Sequence, residues 1–151
     1  MDSRIVSMGI KVFTVTPEMH SPSELMAEGN YALDNYFPRT FFVPPPPKGS
    51  VSVYLIPFGA ERIGIGAEEV ILTARKEGFA QAGYWELLAL GAEYPNVQRQ
   101  FPITALGSRF LYEDDEERVL TITGNDHERI LRADYWNVRF GRNTRFLCEP
   151  I

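Results

Sequence analysis

Residues 130–140 read ILRADYWNVRF, and the apolar side chains of this stretch change parity halfway along. Odd positions are apolar first and even positions afterwards: Leu131, Ala133 and Tyr135, then Trp136, Val138 and Phe140. Successive side chains of a β-strand point to opposite faces, so a one-residue shift sends every later apolar group to the other face. A β-bulge between Tyr135 and Trp136 would restore a common face and bend the strand. We therefore predict a bent strand here.

The predicted bend indicates a first place to look for a site. Bulges are common beside functional sites, so Tyr135 and Trp136 become candidates for the wall of a cleft. A long strand that bends only to close over the core would have the same pattern, and the sequence leaves both interpretations open.

Length and composition predict a globular protein. The 151 residues indicate one domain, 1–151, and the chain is 44% hydrophobic, 13% aromatic and 23% charged. The N-terminal run VSMGIKVFTV is too short for a membrane span and contains Lys11, so we expect no membrane partner. Cys148 is the single cysteine, and together these features favour a cytoplasmic protein, although one cysteine is equally compatible with secretion.

Charge is distributed unevenly along the chain. The net charge of −5 argues against nucleic acid as a general partner, yet arginines crowd the C-terminal segment, at Arg129, Arg132, Arg139, Arg142 and Arg145. Residues 113–117 form an acidic run, which we interpret as a solvated hairpin loop. The arginines form either a basic face for an anionic partner or solvent-facing positions that pair with the acidic loop.

The first third of the chain predicts strands around one helix. Strands are expected at 5–15, 39–43 and 51–58, and a capping box begins a helix at 22–36. Four consecutive prolines make 44–50 a stiff connection, because proline cannot donate to a sheet.

The middle of the chain predicts two more helices. AEEVILTARK is acidic in its first turn and basic in its last, and Gly78 follows as a C-terminal cap. The second helix, 81–93, is apolar almost all round and should be buried.

From Phe101 onward the hydrophobic period becomes two, as in an antiparallel meander. Turns are expected at Gly107–Ser108, in the acidic run, and near residues 124–126 and 141–143. The predicted fold class is α+β: a curved, mostly antiparallel sheet packed against about three helices.

Familiar chemical motifs are missing or incomplete in the sequence. His20, His127 and Cys148 lack the spacing of a zinc site, and the acidic run lacks the glycine of a calcium loop. GIGAEE has Glu69 where a dinucleotide loop has its third glycine, and residues 70–87 fit a helix-turn-helix poorly. We expect no metal, no cofactor and no assignable catalytic residue.

Aromatic and arginine residues supply the remaining site candidates. We predict an apolar pocket for a small ligand or peptide formed by six residues: Tyr84, Trp85, Arg99, Tyr135, Trp136 and Arg139. Large aromatic residues more often lie in the core, which is the alternative for these positions.

Three functional hypotheses follow. The leading one is a non-enzymatic binding or interaction domain, forming a homodimer. The second is a small enzyme in which His127 and a carboxylate act as acid and base, and Arg99 or Arg139 holds an anionic substrate. The third is recognition of an anionic partner through the C-terminal arginines.

Overall fold

The computed structural model describes residues 10–17, 31–33, 47–58, 64–111, 114–125 and 127–151. These residues form an α+β structure with two α-helices, α1 at Ala67–Lys76 and α2 at Tyr84–Glu93, and a short 3-10 helix at Val97–Arg99. The expected fold class is therefore confirmed, whereas the expected number of helices exceeds the two α-helices of the described residues.

Ten strands occur in the described residues, and eight of them form the main sheet: β1 (Lys11–Val15), β2 (Tyr31–Leu33), β3 (Val51–Ile56), β5 (Phe79–Gln81), β6 (Ile103–Leu111), β7 (Glu117–Gly124), β8 (Arg129–Tyr135) and β10 (Arg145–Pro150). Their order is β1-β3-β10-β6-β7-β8-β2, with β5 paired to β10. The remaining two, β4 (Ile65–Gly66) and β9 (Arg139–Phe140), form a small antiparallel sheet.

Both parallel and antiparallel pairs occur in the main sheet. The hairpins β6–β7 and β7–β8 are the predicted meander. However, β10 does not continue it beyond β8, but returns to pair in parallel with β6, and β2 is parallel to β8. The sheet is thus mixed, and the prediction of a mostly antiparallel sheet is correct only in part.

Alternate residues of the central strands enter two separate cores. Leu55, Leu120 and Leu147 belong to a core with α2, whereas Ile56, Val119 and Phe146 belong to a core with α1. Alternation of side chains along each strand produces this division. Helix α2 supplies Leu87, Leu88 and Leu90, all fully buried, and each such side chain contributes about 1.5–3 kcal/mol.

Two helix predictions need correction. Residues 31–33, which we expected at the end of a helix over 22–36, form β2, and the rest of that predicted helix lies outside the described residues. Tertiary pairing with β8 overrides the local helical pattern there. The second helix begins at Tyr84 and not at 81, because residues 79–81 pair with β10. The predicted strand 39–43 and prolines 44–46 also lie outside the described residues.

The parity change in residues 130–140 has a different cause from the predicted bulge. Strand β8 ends at Tyr135, residues 136–137 form a turn, and the chain enters the small sheet as β9. Leu131 lies in the core with α2, whereas Trp136 and Phe140 pack in the core with α1. The prediction of one bulged strand is wrong, because the two parities serve two cores on either side of the main sheet.

An irregularity occurs instead in β6, where we expected a turn at Gly107–Ser108. Strand β6 is continuous, but its register with β7 shifts between Ala105 and Phe110. Within that shift Gly107 N–H donates to Ala82 O (2.9 Å), and Ser108 Oγ accepts from the Tyr84 N–H at the start of α2 (2.9 Å). Gly107 and Ser108 therefore mark the point where β6 departs from its register with β7 and approaches the start of α2.

Gly107 should be essential for this excursion. A Cβ atom at residue 107 would lie 2.5 Å from Ala82 O and 2.6 Å from Gln81 O, both backbone atoms that a hydrogen-bonded sheet holds in place. We expect Gly107→Ala to lower the free energy of unfolding by about 2–3 kcal/mol, measured by chemical denaturation. Gly141→Ala, where a Cβ atom meets nothing within 4 Å, is the control and should cause no loss. Equal stability of the two variants would contradict the close approach at Gly107.

Candidate functional site

A cleft of about 350 Å³ opens between the turn after β8 and the beginning of α1. The turn and β9 contribute one wall and the first turn of α1 the other; the lining residues are Trp136, Asn137, Val138 and Arg139 on one side, and Gly66, Ala67, Glu68 and Glu69 on the other. This volume lies in the range of small-molecule sites, and aromatic, apolar and charged groups converge on it.

Backbone hydrogen bonds fix the aromatic wall of the cleft. Trp136 N–H donates to Glu117 O (2.9 Å), which attaches the turn to the first residue of β7. Val138 N–H donates to Tyr135 O (3.3 Å) and closes the turn. The turn then leads into β9, where Arg139 is paired with Gly66, the N-cap of α1. The small sheet therefore places the two walls against each other.

The Trp136 indole carries a stacked guanidinium. The Arg109 guanidinium carbon lies 3.8 Å from the centre of the ring, and Arg109 Nη1 is 3.0 Å from Glu117 Oε2. A cation over an aromatic face is attracted by the ring quadrupole, and tryptophan is the strongest such acceptor. This contact shows that the Trp136 ring accepts a guanidinium group in this environment.

Arg139 and Glu69 form an ion pair between the two walls. Arg139 Nη2 donates to Gly64 O (2.9 Å), while Arg139 Nη1 lies 3.7 Å from Glu69 Oε1. The two side chains are 64% and 44% exposed, so the pair contributes less than about 1 kcal/mol.

The structure brings together two of the six predicted pocket residues, Trp136 and Arg139. Tyr84 and Trp85 are 2% and 6% exposed in the core with α2, as the alternative interpretation expected. Burial raises the pKa of the Tyr84 hydroxyl to about 12, so this group remains protonated at neutral pH. Arg99 is exposed at the end of the 3-10 helix and does not line the cleft.

Tyr135 packs against a different arginine from Trp136. The buried Arg118 guanidinium lies 4.2 Å from the Tyr135 ring and donates to its hydroxyl (3.1 Å) and to Asp114 Oδ2 (2.7 Å). The pKa of Asp114 is lowered, first by the hydrogen bond from the Glu116 N–H and then by Arg118. Tyr135 thus helps to hold the acidic turn and is absent from the cleft lining.

His127 lies exposed in the turn between β7 and β8. Within the described part of the chain its contact is a hydrogen bond from its backbone N–H to Asn125 Oδ1 (2.8 Å). Neither described cavity is lined by His127. This geometry lends no support to an acid–base role for the imidazole.

The C-terminal arginines have separate partners within the protein. Arg129 is 9% exposed and donates to Gly91 O and to Gln98 Oε1, which joins β8 to the end of α2. Arg132 bonds to Asp134 (2.7 Å), and Arg145 Nη1 donates to Asn143 O (2.9 Å). None of these contacts favours a shared basic face for an anionic partner.

Burial affects two further titratable groups, Cys148 and Glu149 in β10. The pKa of the fully buried Cys148 thiol is raised to about 12, so it has no thiolate character at neutral pH. Burial raises the pKa of the Glu149 carboxyl, and the charge and hydrogen bond of Glu86 raise it further. Glu86 lies in the first turn of α2 and is 9% exposed, so two carboxyl groups adjoin where β10 meets the helix.

Sequence reasoning missed several residues of the cleft. Glu68 and Glu69 were visible as acidic residues of a helix start, but we interpreted them only as complements to the helix dipole. Nothing in the sequence around Arg109 indicates that it lies near the cleft. Its contact with Trp136 depends on the register between β6 and β7, which the sequence alone does not give.

A second cavity, of about 400 Å³, lies where α1 meets the main sheet. Its walls are mainly apolar side chains and backbone, with two polar side chains, Arg75 and Gln81. Among the described residues, the buried Gln81 Oε1 has no hydrogen-bond partner, whereas Gln81 Nε2 lies 3.5 Å from Cys148 Sγ. This cavity contains none of the residues that the sequence predicted for a site.

Comparisons with protein-family models, with curated proteins and with solved structures found no match for this chain. Across the described residues, no helix combines the length and apolar character that a membrane crossing requires. The same residues contain no group of three or more histidine, cysteine, aspartate or glutamate side chains placed to hold a metal ion.

Arg129 should stabilise the fold by joining β8 to the end of α2. We expect Arg129→Met to lower the free energy of unfolding by about 2–3 kcal/mol, because Gly91 O and Gln98 Oε1 lose a charged donor while buried. Chemical denaturation measures the loss. Arg99→Met, the same change at an exposed arginine, should have an effect within about 0.5 kcal/mol. A neutral result for Arg129→Met would contradict a stabilising role for these two hydrogen bonds.

Glu149 should make stability depend on pH. The pKa of the Glu149 carboxyl in the folded protein is raised above the ordinary value of 4.5. Its contribution to the free energy of unfolding is therefore complete at low pH and is lost as the pH rises through the raised pKa. We expect Glu149→Gln to stabilise the protein at pH 7.5 by less than about 1 kcal/mol, since the carboxyl is partly exposed. The gain should vanish near pH 4 in thermal unfolding measured across this range. A gain that is equal at both pH values, or that Glu128→Gln reproduces, would contradict the carboxyl pair.

Proposed function

We propose that this chain is a non-enzymatic binding domain, and that its site is the cleft between the turn after β8 and α1. The observation that carries the proposal is the convergence of Trp136 and Arg139 with the first turn of α1 around a volume of about 350 Å³. An aromatic face, an apolar side chain and a few charged groups are the usual lining of a site for a small molecule or peptide.

The construction of the walls supports binding rather than catalysis. Trp136 is attached through its backbone to Glu117 and covered by Arg109, so the ring is held in one orientation. Preorganised aromatic groups lose little conformational entropy when a ligand arrives. The carboxylates of the described lining residues are those of Glu68 and Glu69, both in the first turn of α1.

The two tryptophans provide an internal reporter of binding. Trp136 lines the cleft, whereas Trp85 is buried in the core with α2, on the opposite face of the main sheet. Each indole N–H gives its own signal in a nitrogen–proton correlation spectrum of labelled protein, and Trp136→Phe assigns the two signals. A ligand in the cleft should shift one of them and leave the other in place.

We expect a screen with small aromatic fragments and short peptides to yield compounds that move the Trp136 indole signal saturably and leave the Trp85 signal unchanged. Binding in the cleft changes the ring's surroundings directly, which is the reason for this selectivity. Fragments that move neither signal across a library of neutral, cationic and anionic members would refute the proposed site. Compounds that move only the Trp85 signal would place binding elsewhere.

A further inference from the structure

Exposed apolar side chains surround the cleft. Leu111 at the end of β6 is 69% exposed and Val138, in the cleft wall, is 40% exposed, while Trp136 is partly buried. Leu111 is the cross-strand partner of Glu117, whose carbonyl accepts the Trp136 N–H. Cross-strand partners share a face, and Arg109, which bonds to Glu117, covers the Trp136 ring. Leu111 therefore lies on the same face of the β6–β7 hairpin as the Arg109–Glu117 pair that adjoins Trp136.

Carboxylates outnumber cations around this surface. Within the described residues of this end of the molecule there are six carboxylates, Glu68, Glu69, Asp114, Asp115, Glu116 and Glu117, and three guanidinium groups, Arg109, Arg118 and Arg139. All three guanidinium groups bond to a carboxylate or a carbonyl: Arg109 to Glu117, Arg118 to Asp114, and Arg139 to Gly64 O. Glu68, Asp115 and Glu116 are exposed, and such charge attracts cations and repels anions.

We infer that the cleft binds a basic peptide segment, in which arginine or lysine alternates with apolar residues. This inference rests on the proposed function and names the ligand class of the same site. The apolar residues of the segment cover Leu111, Trp136 and Val138, and its cations approach Glu68 and the acidic turn. Recognition by an aromatic anchor within a rim of opposite charge is a common form of peptide binding. The same charge excludes nucleic acid and anionic membrane surfaces.

Arg109 provides the internal precedent for this recognition. Its guanidinium stacks on Trp136 at 3.8 Å while a carboxylate, that of Glu117, holds it at 3.0 Å. At the cleft, a peptide arginine meets the exposed carboxylate of Glu68 beside the apolar wall that Trp136 and Val138 form for the neighbouring apolar residues of the peptide.

Three matched hexapeptides test the inference, each acetylated and amidated so that no terminal charge remains. The first reads Gly-Leu-Arg-Leu-Arg-Gly, the second has citrulline, the neutral isostere, for both arginines, and the third has glutamate. We expect the arginine peptide to shift the Trp136 indole signal saturably, with a dissociation constant at least fivefold lower than that of the citrulline peptide. The glutamate peptide should not bind. Raising sodium chloride from 50 to 500 mM should raise the dissociation constant of the arginine peptide at least threefold, because salt screens exposed charges.

Protein variants locate the attraction. Glu68→Gln and Glu116→Gln should each raise the dissociation constant of the arginine peptide about twofold to fivefold, as expected for exposed ion pairs. Glu128→Gln removes the same charge in the turn between β7 and β8, at the other end of those strands, and should leave the affinity unchanged. If Glu128→Gln weakens binding equally, the attraction is to net charge, and the inference fails.

The peptide series separates the inference from the function on which it rests. Equal binding of the arginine and citrulline peptides at Trp136 would refute the basic ligand and leave the cleft as a binding site. Preferential binding of the glutamate peptide would do the same. If no peptide moves the Trp136 signal, the basic ligand is also refuted, and the fragment screen decides independently whether the cleft binds ligands at all.

Discussion

The architecture depends on two hydrogen bonds that residue 82 makes with strands on either side. Ala82 N–H donates to Leu147 O and Ala82 O accepts from Gly107 N–H, both at 2.9 Å. Strands β10 and β6, which pair in parallel at their beginnings, separate here to admit the chain that runs from β5 into α2. The excursion of β6 makes this room, and Ser108 then caps the helix from the same strand. One irregular stretch thus sets both the path of the sheet and the position of the most buried helix.

Local patterns predicted the elements whose formation depends on neighbours in sequence. Glu68, Glu69, Arg75 and Lys76 place α1 correctly, because charge at helix ends acts within one turn. The β6–β7–β8 meander follows from period-two alternation and polar turns. Strand β2 could not be found in this way, since its conformation comes from pairing with β8, about a hundred residues away. The parity change was a real signal, but a sequence does not say whether one strand bends or two sheets meet.

Part of the candidate site was visible in the sequence for the same reason. Trp136 and Arg139 lie close together in the chain, so a turn keeps them close in space. Their partners come from elsewhere: Glu68 and Glu69 from α1, and Arg109 from β6. Tyr84 and Trp85 resemble site residues in type, but the apolar helix that carries them is buried on the other side of the sheet. Residue type indicated the chemistry, while burial decided which residues can meet a ligand.

The cleft and its surroundings combine an apolar centre with an acidic border. Trp136 and Val138 supply the apolar wall of the cleft, Glu68 and Glu69 at the start of α1 line the other wall, and Leu111 and the acidic turn lie at the end of the β6–β7 hairpin. The acidic turn is itself ordered by Arg118, which bonds to Asp114 from a buried position beside Tyr135. The arginines that looked like a basic surface in the sequence thus largely organise the protein's own structure. At the end of the molecule that carries the cleft, the guanidinium groups of Arg109, Arg118 and Arg139 bond within the protein and are outnumbered by carboxylates.

The central place of β10 has a consequence for how the chain acquires its fold. Residues 145–150 follow every other described strand in the sequence, yet they join β3 to β6 in the middle of the main sheet. Without β10, the β1–β3 pair and the β6–β7–β8 meander have no strand between them, and the inner edges of β3 and β6 are unpaired. Pairing β10 with β3 closes a loop of about ninety residues. Such long-range pairing slows folding, because the loop must close before its contacts can stabilise the sheet. During that interval the open edges of β3 and β6 are the surfaces most exposed to association with other chains.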